Sequence, residues 1–181
     1  MKQVYLDNAA TTPMSPTVID VITDEMANDF GNASSTHTLG RKARNSVETA
    51  RHTIAQAINA KDQEIIFTSG GSESNNTVIF GVAEMQKTIG RHLITTKIEH
   101  ESVLKSMQHL EEMGYEVTYL DVQQDGLIDI EKFKAAIRPD TILASVMFVN
   151  NEIGVIQDIE AIGKVCREHG IIFHVDAAQA T

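Results

Sequence analysis

Residues 141–154 read TILASVMFVNNEIG. The first nine, TILASVMFV, are almost all apolar or small, and a run of that length reads as a buried strand. Two amides and an acid, Asn150, Asn151 and Glu152, follow at once. Such groups are poor residues to bury without partners. Either they build the turn after the strand or they meet a ligand.

Working outward, strand and helix patterns alternate. Upstream, EVTYL (116–120) and HLITT (92–96) read as strands, with a helix over 101–113 between them and a short one marked by Ile130, Phe133 and Ile137. Asp125-Gly126 is a turn. Downstream, 158–169 carries Ile159, Ile162, Val165 and Cys166 at helical spacing, and IIFHV is the last strand. Nearer the N-terminus, EIIFT (64–68) reads as a strand followed by a turn at SGGSES and a helix from Asn75 to Lys87. Helices are expected from Arg41 to Ile58 and from Ser15-Pro16 to Gly31, the latter with Ser as cap and Pro in the first turn. Val4 to Leu6 reads as a short strand. The alternation predicts an α/β fold, a mostly parallel sheet with helices on both faces. The final strand has no helix after it, so the chain is expected to be cut inside a domain.

Composition narrows the class. The chain has 181 residues, 42% hydrophobic and 22% charged, with a formal net charge of -10. That balance argues against non-specific nucleic-acid binding and against an anionic membrane surface. MKQVYLDNAATT has no apolar signal core, and no segment approaches the ~18 apolar residues of a membrane span. One cysteine excludes an internal disulfide framework. A cytoplasmic protein is expected.

In open α/β sheets, ligands bind beyond the carboxyl ends of the strands. Four such ends carry polar residues. TSGGSESNN (68–76) leads small residues into a helix, so Gly70, Gly71 and Ser72 could cradle a phosphate or simply form a tight turn. It is neither a P-loop nor GxGxxG. KIEHESV (97–103) sets His100 at a helix start, where an imidazole could stack on a ring or shuttle a proton. Glu99, His100 and Glu101 match no common metal spacing. VNNEIG follows the most apolar strand. HVDAAQ (174–179) ends a strand on Asp176, with Gln179 able to reach back. A buried acid is expensive without a cationic partner. A ligand that satisfies all four ends is planar, phosphorylated and carries a protonated heterocycle. Pyridoxal 5'-phosphate fits, since an acid at the pyridinium nitrogen keeps the ring able to accept carbanion electrons.

Taken in order, YLDNAATT, FTSGGSESNN, IEHESV, VNNEIG and HVDAAQ resemble the cysteine desulfurases of the NifS/IscS type, in the class-V aminotransferase-like group of fold-type I enzymes. The resemblance covers essentially the whole chain. It implies a large cofactor-binding domain over 15–181, incomplete, with 1–14 near the active site. It implies that Gly71 and Ser72 hold the cofactor phosphate, and that His100 stacks on the ring and assists proton transfer. Asn151 and Gln179 would face the ring oxygen, Asp176 would pair with the ring nitrogen, and Asn8, Ala9, Thr11 and Asn151 would lie toward the substrate. The family commonly has Ala-Thr where this chain has Gly71-Ser72, a change that keeps the hydroxyl.

The resemblance further implies conversion of L-cysteine to L-alanine, with sulfur passed to an enzyme persulfide. Implied partners are a homodimer mate and a sulfur-acceptor protein of iron–sulfur assembly or tRNA thiolation. The family's cofactor-binding lysine and nucleophilic cysteine lie past Thr181. Cys166 shares an apolar helix face and reads as an inert core thiol. The chain alone is therefore expected to be inactive. Alternatives are a selenocysteine lyase or aminotransferase of the same fold, and a non-catalytic or split half-length protein.

Overall fold

The computed structural model describes residues 4–180. Its contacts divide the chain into two compact units, Met1–Phe67 and Thr68–Thr181.

The first unit is helical. Helix α1 (Pro16–Asn28) starts where the sequence places it: the Ser15 hydroxyl accepts from Val18 N–H and proline occupies the first turn. Helix α2 (Thr38–Ala57) is capped by His37, whose ring accepts from Gly40 N–H at 3.4 Å. Gly31 is required by packing, since a Cβ there would sit 2.3 Å from the Leu39 carbonyl oxygen. Two expected strands are absent. Val4, Tyr5 and Leu6 are exposed without strand pairing, and the chain turns at once as Ala10 and Thr11 N–H both reach Asp7 O. At 64–68 there is no strand either; a 3₁₀ turn spans Asp62–Glu64 and irregular backbone follows. A strand needs a neighbour to take its N–H and C=O groups. Here the Ile65 carbonyl is instead taken by the Arg51 guanidinium, which also lies 4.9 Å over the Phe67 ring.

The second unit is the α/β body. Its elements are α3 (Gly71–Gln86), β1 (His92–Thr96), α4 (Glu101–Glu112), β2 (Glu116–Leu120), α5 (Ile130–Ala136), β3 (Thr141–Met147), α6 (Ile159–His169) and β4 (Ile172–Asp176). Four strands pair in the order β2-β1-β3-β4, all parallel. The expected α/β layering is thus realised. On one face Leu93 and Leu143 pack with Ile79 and Val82 of α3 and Val103, Met107 and Leu110 of α4. On the other, Ile94, Ala144 and Val146 pack with Phe133 of α5 and Ile162, Val165 and Cys166 of α6. Both faces of β1 and β3 are buried, as parallel strands between helix layers should be. Helix α6 ends at Gly170, whose φ of 68° is left-handed and suits glycine. Helix α3 begins at Gly71, four residues before the sequence pattern suggested.

Candidate functional site

Because every strand runs the same way, β1, β3 and β4 deliver the residues that follow them to one edge. A cleft of about 220 Å³ opens there. Gly71 and Ser72 line it from the first turn of α3, His100 from the start of α4, Asn151 from beyond β3, and Asp176 and Gln179 from the end of β4. These six positions, from four separate stretches of sequence, line one cleft. Asn8, Ala9 and Thr11 belong to the other unit, where they sit in an exposed turn with Thr11 Oγ1 2.7 Å from Tyr5 Oη.

Asp176 is the centre of the arrangement. It is the last residue of β4, opposite Met147 of β3. One carboxylate oxygen accepts from Asn75 Nδ2 at 2.8 Å, the other from Ala178 N–H at 3.1 Å. Asn75 is buried in α3 and also reaches Ser102 Oγ at 2.9 Å. Ser102 Oγ lies 2.8 Å from His100 Nδ1, and Ser102 N–H donates to the same nitrogen at 3.1 Å. A continuous hydrogen-bonded line therefore joins Asp176 to His100.

The residues after β3 divide the two alternatives raised by their sequence. Asn150 builds the turn: its side-chain oxygen accepts from Glu152 and Ile153 N–H, and its Nδ2 donates to Ile98 O at 2.8 Å. Asn151 lines the cleft. At the head of α3, the amides of Gly71 and Ser72 belong to the first helical turn, where no carbonyl of the helix is available to them. The Glu73 carboxylate reaches back to Ser69 N–H and Oγ, both at 2.6 Å, which holds its pKa below the usual range. The cradle is thus tied down from behind. A Cβ on Gly71 would come no closer than 3.9 Å to another atom, so the backbone there stays open to approach.

Glu99 escaped the sequence reading except as a failed metal ligand. It is 6% exposed. Its Oε1 accepts from Thr96 Oγ1 at 2.7 Å and Met147 N–H at 3.0 Å, bridging the ends of β1 and β3, while Oε2 has no partner among the described residues. Burial, only partly offset by those two bonds, and the nearby Asp176 charge push its pKa up to about 7. His174, on the same strand face as Asp176, pairs with Ser145 Oγ at 2.8 Å, and burial lowers its pKa. Of Asn75, Ser102 and Glu99, only Asn75 carries a signal in the sequence, as a polar residue on the buried side of a helix.

The donor set suits a phosphorylated pyridine: one cleft is lined by a carboxylate, an imidazole, an amide and a glycine-rich helix start. Cys166 stands elsewhere, buried between α6 and the sheet, and burial raises its thiol to about 11.

The aminotransferase class-V family profile matches residues 4–181. A cysteine desulfurase IscS of Methylococcus capsulatus is 58% identical over 179 residues, covering 98% of this chain and 44% of the relative. A cysteine desulfurase IscS of Neisseria meningitidis serogroup C is 58% identical over 178 residues, again with 98% and 44% covered. Among solved structures, SspA in complex with cysteine superposes with a TM-score of 0.93 at 44% identity, covering 97% of this chain and 51% of that one. A NifS-like protein gives 0.93 at 34% identity, with 96% and 48% covered. The chain spans about half the length of the relatives it matches.

Proposed function

Since the chain belongs to the aminotransferase class-V family, we propose that it is the cofactor-bearing N-terminal portion of a pyridoxal phosphate-dependent cysteine desulfurase, converting L-cysteine to L-alanine with sulfur passed to an enzyme persulfide. The observation that carries this is Asp176 at the end of β4, its carboxylate held toward a cleft that Gly71, Ser72, His100, Asn151 and Gln179 share. Bound there, pyridoxal phosphate supplies an electron sink for the carbanion formed at the substrate α-carbon. The chain's own residues do the holding. Gly71 and Ser72 offer first-turn amides and a hydroxyl to the phosphate. The carboxylate of Asp176 keeps a proton on the ring nitrogen, His100 presents its ring face, and Asn151 and Gln179 face the ring oxygen. The resemblance adds Asn8, Ala9 and Thr11 as substrate-side residues, a homodimer as the working form and a sulfur-acceptor protein as partner, and the composition adds a cytoplasmic location. Among the described residues no helix is long and apolar enough to cross a membrane.

The test is alanine release from L-cysteine by the complete enzyme that carries this chain. Asp176→Asn should cut it by at least about a hundredfold, the scale of losing an electrostatic partner of the reacting system. Near-parental activity in that variant, or release of alanine from selenocysteine but not cysteine, would overturn the reading.

A further inference from the structure

The partners along the line from Asp176 to His100 fix the direction of every hydrogen bond in it. A carboxylate only accepts, so the Asn75 group 2.8 Å from Asp176 Oδ2 is its amide NH₂ and not its carbonyl. The same NH₂ donates to Ser102 Oγ at 2.9 Å. A hydroxyl oxygen can accept twice, so these bonds alone leave open which way the 2.8 Å bond between Ser102 Oγ and His100 Nδ1 runs. The backbone decides it. The backbone N–H of Ser102 can only donate, and it points at that same Nδ1 from 3.1 Å. That nitrogen must therefore offer a lone pair, and the Ser102 hydroxyl directs its own hydrogen to it as well.

We propose that Asn75 and Ser102 are positioning residues that lock His100 in its Nε2–H tautomer, so that the imidazole meets the cleft as a hydrogen-bond donor and not as a base. With Nδ1 turned into the first turn of α4, Nε2 is the nitrogen left for the cleft that His100 lines. A proton could enter the ring only at Nδ1, and there it would confront Ser102 N–H. Proton abstraction from a substrate then falls to a different group, while His100 polarises whatever acceptor lies against Nε2. The tautomer depends on protein groups alone. Only the identity of that acceptor rests on the pyridoxal phosphate reading.

Two-bond ¹H–¹⁵N correlation spectra of the protein labelled at histidine distinguish the tautomers, with the His100 signals identified by their loss in His100→Asn. The parent should show the Nε2–H pattern at neutral pH. Ser102→Ala and Asn75→Ala should introduce an Nδ1–H share at His100 that the parent lacks, and Ser102→Thr, which keeps the hydroxyl, should restore the parental pattern. An Nδ1–H pattern in the parent overturns the tautomer, and it needs no variant to be seen. Unchanged spectra in both alanine variants overturn the positioning roles. Pyridoxal phosphate binding is followed separately by absorbance. A parent that shows the Nε2–H pattern but binds no pyridoxal phosphate would sink the proposed function and leave this inference standing.

Discussion

Glu99 shows what a single side chain contributes here. Its Oε1 is spent joining β1 to β3, and its Oε2 meets no hydrogen-bonding group among the described residues. The folded state therefore prefers it protonated, with a pKa raised from 4.5 to about 7. Between those values the native chain binds more protons than the unfolded one, so this residue's contribution to stability falls as pH rises through the window. Glu99→Gln keeps the accepting oxygen and cannot ionise. Its stability advantage over the parent should grow between about pH 5 and about pH 8, by on the order of 3 kcal/mol. Urea midpoints of both proteins at the two pH values measure this, and a pH-independent gap would refute it. The sequence could point to Asp176 and His100 because they follow strands. The roles of Glu99, Asn75 and Ser102 were illegible because each acts through a neighbour that only the fold supplies.

At the level of elements, periodicity marks the helices and strands of the second unit because burial on both sides of the sheet reinforces it. Helix α6 carries its apolar residues on one face, an Asp158 cap whose side chain accepts from Ala161 N–H, and a left-handed Gly170 at its end. Asp158→Ala should cost about 1 kcal/mol by urea denaturation. Helix α5 is only seven residues long, yet Phe133 is fully buried against α6 and the sheet. Phe133→Ala should cost about 3–5 kcal/mol, enough to expose much of that layer. A loss below about 1 kcal/mol would mean the cluster is not a packed core. The EIIFT segment failed for the complementary reason. Its residues have β propensity, but propensity reports a fit to a pleated, half-buried surface. Ile66, 75% exposed, has no such surface within its unit.

For the molecule as a whole, a parallel sheet commits all strand carboxyl ends to one edge, so the motifs at the ends of β1, β3 and β4 share a site for a reason legible in the sequence, while the 68–76 motif joins them from the head of α3 with no strand before it. What could not be read is which of their residues face the cleft and which hold the turn, as the different fates of Asn150 and Asn151 show. Activity is a property of a longer assembly in this reading. The 181-residue chain supplied with pyridoxal phosphate should release no alanine from L-cysteine above the rate of the free cofactor. Its one cysteine is buried and held as the thiol at neutral pH, where a thiolate would be needed. Alanine release above that background would show that another group can take the sulfur.

That same burial gives the chain a stopwatch. Cys166 is the lone sulfhydryl, sealed between α6 and the sheet with none of its surface exposed. A chromogenic disulfide reagent added in excess can find it only when α6 lifts away, so the rate of colour development counts openings of this layer under native conditions. Within these 181 residues no other thiol competes for the reagent, and no label has to be engineered. If α6 opens by itself, the clock should run faster than global unfolding and ignore low concentrations of urea. If it opens only with the whole sheet, the rate should climb with urea as steeply as unfolding does.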